Sequence, residues 1–230
     1  MKAIILAGGL GNRLQPLTEI IPKPLLPIGE KAILEIQIEK LKKYNFNEIY
    51  VATNYKSEYI ESFLGDGSRY GVKITISKEE KPLGTAGPLF LLKKYLDEPF
   101  IVMNGDILTL LNFQKMYEFA LLKKTKLTVG IKKEIFPFHF GNIYYDGDYV
   151  TSIEEKPNFV TNILAGIYIM SPEIFKYIPE NEPYGIDSLI YKMLENKDPI
   201  SKYEINEYWL DIGRIEDYEK AQTLYKTHFK

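Results

Sequence analysis

Five of the first six residues after Met1, KAIILA over 2–7, are apolar, a run whose length and composition predict a buried strand. The stretch AILEIQIEKLKKYN over 32–45 spaces its apolar positions three and four apart, the period of an amphipathic helix. The two patterns then take turns. EIYVAT (48–53) reads as a strand, SEYIESFLG (57–65) as a helix and VKITIS (72–77) as an alternating strand. AGPLFLLKKYL (86–96) reads as a helix, FIVMNGD (100–106) as a strand ending in polar residues, and FQKMYEFALLKK (113–124) as a helix. Strand and helix in alternation predict an α/β domain with a largely parallel sheet. Ligands of such sheets bind beyond the carboxyl ends of the strands. Two segments carry small or acidic residues there, LAGGLGNR and NGD.

Beyond residue 125 the pattern turns to strands. KLTVGIKK (126–133), GNIYYDGDYVTSIEEKP (141–157) and NILAGIYIM (162–170) have strand character. The middle one holds Asp146-Gly147, a hairpin turn signal. Short helices are expected near 172–178 and 186–195, and YWLDIG leads through a turn into a terminal helix. No repeat, linker or low-complexity tract interrupts the chain. We expect one domain over 1–230, with two halves meeting near residue 125.

The composition, with 45% apolar and 26% charged residues, is that of a soluble globular protein. A net charge of −2, with both signs mixed along the chain, gives no footprint for a nucleic-acid polymer and no polybasic membrane anchor. The absence of cysteine excludes disulfides, cysteine nucleophiles and cysteine-type zinc sites. No apolar run approaches the ~20 residues of a membrane span. The expected location is the cytoplasm. Oligomeric state is not legible at this level.

The candidate chemistry begins in the glycine loop. Gly8, Gly9 and Gly11 leave backbone N–H groups accessible to a phosphate, though a tight strand-to-helix turn uses glycine for the same freedom. The loop fits neither the P-loop, which ends in Gly-Lys-Ser/Thr, nor the dinucleotide fingerprint, since Leu14 occupies the third glycine position. Arg13 adds a planar guanidinium suited to bidentate phosphate contact. Lys23 lies between Pro22 and Pro24, which stiffen its backbone. In EEKPLGTAGPL (79–89), Gly84 and Gly87 allow close approach to a flat ligand. Thr85 is a plausible N-cap of the following helix, and Glu79 or Glu80 could accept N–H donors from a base edge or be a surface charge.

Asp106 and Asp211 each end a predicted strand, where an acid could ligate Mg²⁺ or cap a helix. Glu155 and Lys156 point to opposite faces of a strand unless the strand ends there, as Pro157 indicates. His139 and His228 have no nucleophile beside them and read as structural or solvated, and no G-x-S-x-G elbow is present.

Together GGLGNRLQPLT, PKPLLP, LGTAG, NGD, EEKP, AGIY and WLDIG resemble, in order and spacing, the sugar-1-phosphate nucleotidylyltransferases. The resemblance covers nearly the whole chain. It implies a Rossmann-like three-layer α/β/α fold with a mostly parallel mixed sheet and a small β-rich sugar-binding subdomain. Residues 1–125 would then bind nucleotide and 126–230 the sugar phosphate. It implies that an NTP and a sugar 1-phosphate give an NDP-sugar and pyrophosphate, with Mg²⁺ as cofactor.

By the same resemblance, Arg13 would hold the β- and γ-phosphates, Lys23 the α-phosphate region, and Asp106 with Asp211 the Mg²⁺. Leu6, Ala7, Gly8, Gly9, Gly11, Gly84 and Gly87 would frame the nucleotide, with Glu79 on the base. Gly141, Glu155 and Lys156 would take the sugar phosphate. Asn12 replaces the family's usual Thr or Ser, and Leu164 stands where many members have Asn, removing a hydrogen bond to the sugar. LGTAGPL looks most like the mannose-1-phosphate guanylyltransferase branch, pointing to GTP and a mannose-like hexose. UTP-, dTTP- or CTP-dependent transfer is the alternative within the class. A non-catalytic regulatory homologue is a further alternative, against which stand the retained Arg13, Lys23, Asp106 and Asp211.

Overall fold

The computed structural model describes residues 1–229. In chain order its strands are β1 (Lys2–Leu6), β2 (Pro27–Ile28), β3 (Lys31–Ala32), β4 (Glu48–Thr53), β5 (Lys73–Lys78), β6 (Phe100–Asn104) and β7 (Ile107–Thr109). There follow β8 (Leu127–Pro137), β9 (Gly141–Asp146), β10 (Tyr149–Glu155), β11 (Asn158–Met170), β12 (Ile200–Glu204) and β13 (Trp209–Asp211). The α-helices are α1 (Leu17–Ile20), α2 (Ile33–Lys43), α3 (Ser57–Leu64), α4 (Gly87–Leu91), α5 (Phe113–Lys123), α6 (Ile186–Glu195) and α7 (Ile215–His228).

Seven strands form the central sheet in the order β12-β8-β11-β6-β1-β4-β5. β6, β1, β4 and β5 run parallel, β11 runs antiparallel to β6 and β8, and β12 runs parallel to β8. The sheet is therefore mixed and mostly parallel, as expected. Its alternating side chains feed two cores. Ala3, Ile5, Val51 and Met103 face α2, α3 and α5 on one side. Ile4, Tyr50 and Val102 face α4 and α6 on the other. Burial on both faces is why β1 reads as a continuous apolar run.

The predicted elements recur with three differences. The expected helix over 86–96 stops at Leu91, and a separate 3-10 turn covers Lys93–Tyr95. Thr85 does not cap α4. Its Oγ1 accepts the N–H of Ile186 at 2.9 Å, so it serves the start of α6. Three short elements lack a sequence signal: β7, which pairs with the expected strand β13, the β2–β3 pair, and β12 on the sheet edge. Runs of two to five residues carry too little periodicity to be read alone.

Two features position the site. β8 and β11 outrun their neighbours, so their outer halves project past the edge where β1, β4 and β6 end. From the tip of that ribbon the β9–β10 hairpin extends, turning at Gly147 with φ +52°. On the opposite flank, α7 clamps the β2–β3 hairpin that follows Lys23. Gln222 Nε2 and Tyr218 Oη donate to the carbonyl of Pro27, and Gln222 Oε1 accepts from Gly29 N at 2.9 Å. Gly29 has φ +60°, and a Cβ there would lie 2.1 Å from the Tyr225 ring.

Gly29→Ala is therefore expected to lower stability by about 2–4 kcal/mol, combining left-handed strain with overpacking. Urea denaturation checks this, and a change below half a kcal/mol would contradict the clamp.

Candidate active site

The site assembles where three chain segments leave their strands. After β1, Ala7 N donates to Ala52 O at 2.7 Å and the chain turns through the glycines. After β6, Gly105 N donates to Leu6 O at 2.9 Å, tying the NGD turn to the root of the glycine loop. After β13, Ile212 N donates to Asp106 O at 3.0 Å, tying the second aspartate turn to the first. The two acids, 105 residues apart in sequence, therefore share one backbone scaffold.

Lys23 Nζ stands 2.5 Å from Asp106 Oδ2, and the lysine is only 9% exposed. Asp106 Oδ1 and Asp211 Oδ1 are buried without a hydrogen-bond partner among the described residues. The Asp211 carboxyl is pushed up to about 6, first by burial and then by the charge of Asp106. Lys23 and Arg13 act in the opposite direction. Arg13 lies beside the turn after Asp211, its two terminal nitrogens 3.7 Å from where a Cβ on Gly213 would be. Four charged groups thus converge, two of each sign, and two carboxylate oxygens remain without a partner.

That pair of hard oxygen donors fits Mg²⁺, which takes one or two carboxylates and fills its octahedron with water and phosphate oxygens. No cluster of three or more His, Asp or Glu side chains suited to a metal occurs among the described residues. A cation here would need substrate oxygens.

Beside this cluster lies a cleft of about 410 Å³, the size of a small-ligand site. Leu6, Gly8, Gly9, Glu79, Gly84 and Asp106 all line it. Gly9 is open, with no atom within 4 Å of an added Cβ, while a Cβ on Gly8 would lie 2.9 Å from Glu79 Oε1. The other Glu79 oxygen accepts Leu83 N–H at 2.9 Å, and burial raises the carboxyl's pKa.

Three residues expected to frame the nucleotide are not among those lining this cleft. Ala7 is buried beneath the loop, held by its bond to Ala52. Gly11 has φ +67°, and its carbonyl accepts from Thr18 Oγ1 at 2.9 Å, so it shapes the turn that carries Arg13. Gly87 does not line the cleft. A Cβ there would meet Glu182 O at 2.7 Å, so the close approach it allows is to the protein's own backbone. Gly84 does both, lining the cleft while its Cβ position lies 2.7 Å from Tyr184 O.

On the projecting ribbon, Gly141 and Glu155 are cross-strand partners, and a Cβ at Gly141 would stand 3.1 Å from Glu155 Oε2. β10 ends at Glu155, and Lys156 turns through φ +48°. That turn meets the condition under which adjacent side chains can serve one ligand.

Sequence reasoning missed Gln37. It is 2% exposed, and its Nε2 donates to Asn104 O at 2.9 Å and Ile107 O at 2.8 Å. It thus brackets the turn holding Asp106. The available signal was a polar residue in the core-facing row Ile33–Gln37–Leu41 of α2. Asn104 was also missed as a contact. A Cβ on Gly166 would lie 2.7 Å from its Nδ2, so β6 and the AGIY segment of β11 are locked together there.

The nucleotidyl transferase family model matches residues 2–228. The chain belongs to that family. It is 38% identical to a mannose-1-phosphate guanyltransferase of Debaryomyces hansenii, over 99% of this chain and 65% of that protein. It is 36% identical to the mannose-1-phosphate guanylyltransferase catalytic subunit beta of Danio rerio, over 98% and 64% respectively. The chain spans somewhat less than two thirds of the length of these curated relatives. Among solved structures it resembles a putative glucose-1-phosphate thymidylyltransferase of Bacillus anthracis in complex with sucrose, at 27% identity and TM-score 0.80. That match covers 97% of this chain and 94% of the other. It also resembles HddC of Yersinia pseudotuberculosis complexed with GMP-PN, at 29% identity and TM-score 0.76, covering 97% and 99%.

The raised Asp211 pKa sets a pH dependence. A carboxyl with a folded pKa near 6 and an unfolded value near 3.8 costs stability as pH rises from about 4 to 6, and that cost persists above. In EDTA, Asp211→Asn should melt higher than the parent at pH 7.5 but not at pH 4. Discounting for solvent screening at this part-exposed group, the gap is on the order of 1 kcal/mol, or about 2–4 °C. Equal melting at both pH values would contradict the burial of this charge.

Proposed function

We propose that the chain transfers GMP from GTP to mannose 1-phosphate or a closely related hexose 1-phosphate, releasing pyrophosphate. The observation that carries this reading is the convergence of Arg13, Lys23, Asp106 and Asp211 at one end of the cleft. The choice of base and sugar is supported by the kinship with mannose-1-phosphate guanylyltransferases.

A nucleotide would lie with its base in the cleft, against Leu6, Gly8, Gly9 and Gly84. Glu79 has one oxygen left after bonding Leu83, an acceptor for the N–H groups that guanine presents. Its phosphates would run towards the charged cluster, β and γ to Arg13 and α to Lys23. The sugar 1-phosphate would enter from the projecting ribbon, with Lys156 on its phosphate and Glu155 and Gly141 at its hydroxyls.

A phosphate oxygen of the sugar phosphate attacks the α-phosphorus. A new P–O bond forms as the bond to the oxygen bridging α and β breaks, and the electron pair leaves on pyrophosphate. No proton needs to move. Catalysis rests on bringing polyanions together and holding them in line. Mg²⁺ held by Asp106 and Asp211 would supply neutralising charge to the meeting phosphates. Lys23 and Arg13 supply the fixed part of that charge, one at the reacting phosphorus and one at the leaving group. The cytoplasm is the compartment where such substrates fit this reading, and no helix among the described residues is long and apolar enough to cross a membrane.

A screen of five NTPs against a panel of hexose 1-phosphates, read by pyrophosphate release, tests the assignment. GTP with mannose 1-phosphate should exceed UTP, dTTP, CTP and ATP by at least about 100-fold in kcat/KM, the discrimination that base hydrogen bonds give. A preference for UTP or dTTP would reject the guanylyl reading while leaving the reaction class intact. Arg13→Ala should lower kcat by about 10²–10³ while changing the sugar-phosphate KM far less.

A further inference from the structure

The core-facing row of α2 runs Ile33, Gln37, Leu41, and its middle member is an amide. All three side chains are buried. Gln37 Oε1 has no hydrogen-bond partner among the described residues. A buried acceptor without a partner costs stability, and an apolar side chain of the same length avoids that cost. Packing of α2 therefore does not call for an amide at this place.

Its nitrogen has a specific task. Nε2 donates one hydrogen to Asn104 O at 2.9 Å and the other to Ile107 O at 2.8 Å. Both partners are carbonyls, so only the donor end of the amide can face them. The two hydrogens of a planar nitrogen diverge at a fixed angle, which sets the separation of the carbonyls on either side of Gly105 and Asp106. The backbone between those carbonyls follows, and with it the root of the Asp106 side chain. The same helix holds Lys23. Ile33 N, in the first turn of α2, donates to Leu26 O at 3.1 Å, and Leu26 N donates to Lys23 O at 3.1 Å. Ile33 and Gln37 lie one turn apart on a single face. One helix face therefore sets where both partners of the Lys23–Asp106 ion pair stand.

We propose that Gln37 is a positioning residue for nucleotidyl transfer, whose amide fixes the separation of Lys23 and Asp106 through bonds to backbone carbonyls alone. The proposal rests on the assigned reaction, in which Lys23 meets the α-phosphate and Asp106 the cation. Both must reach their oxygens at once, so an error in their separation falls on the bond-making step more than on substrate binding. Glutamate, when ionised, has no hydrogen to give. Asparagine is one methylene short, and methionine has the reach but no donor. Of these, glutamine alone supplies two hydrogens from an uncharged group at that reach.

The test compares Gln37→Met and Gln37→Asn with the parent enzyme. Each should lower kcat by about 10–100-fold while both substrate KM values stay within about twofold. Mn²⁺ affinity should fall about tenfold, read by electron paramagnetic resonance with a non-hydrolysable analogue of the parent's preferred NTP bound. Leu41→Ala is the control for loosened packing, since Leu41 is fully buried in the same row. It should lower the melting temperature at least as far as Gln37→Met does. Assayed well below that temperature, its kcat and Mn²⁺ affinity should stay within about twofold of the parent's. Parent-like kcat and Mn²⁺ affinity in both Gln37 variants overturn the proposal. So do equal losses in Leu41→Ala. A parent that prefers UTP or dTTP rejects the guanylyl reading alone, because variant and parent are still compared with that nucleotide.

Discussion

One carboxylate that resists ionising beside another governs the organisation of this molecule. Asp106 and Asp211 hang from turns joined by one backbone hydrogen bond, and each keeps one buried oxygen without a partner among the described residues. Burial, and then the charge of Asp106, push the Asp211 carboxyl up to about 6. Lys23 counters that repulsion by pairing with Asp106, and Arg13 acts in the same sense. Removing one member of a buried pair costs several kcal/mol, because the other is left uncompensated. The arrangement is therefore poor as a stabilising device and well suited to receiving positive charge and phosphate.

The fold is built to hold those two turns still. Parallel strands β1 and β6 end side by side, and Gly105 bonds across to Leu6. Gln37 fixes both flanks of the first turn from α2. The small β7–β13 ladder brings the second turn to the first from the far end of the chain. α7 then closes over the hairpin that follows Lys23, so the C-terminal helix stabilises the placement of an N-terminal lysine. Rigid support of this kind is what a reaction driven by positioning requires.

Much of this could be read from residue patterns. The period of the apolar positions marked β1, α2, β4 and α5 because each is long enough to show one, and each buries a defined face. The ordered motifs identified Arg13, Lys23, Asp106 and Asp211 as belonging together, which neither spacing nor composition could do. What could not be read depends on tertiary approach. Gly87 looks like a ligand-contact glycine, but the atom nearest to its Cβ position is Glu182 O, while Gly84 lines the cleft and also approaches Tyr184 O. Thr85 looks like the cap of its own helix and serves α6, about a hundred residues later. Gln37 was hidden because a polar residue within a helix has no sequence mark that names its partners.

The central claim is that Asp106 and Asp211 together take a divalent cation. Mn²⁺ titration of the purified chain with a non-hydrolysable GTP analogue bound, followed by electron paramagnetic resonance, reads this without reference to turnover. One Mn²⁺ per chain is expected, with affinity falling at least tenfold in Asp106→Asn and in Asp211→Asn. Mn²⁺ binding equal to the parent's in both variants would contradict the account.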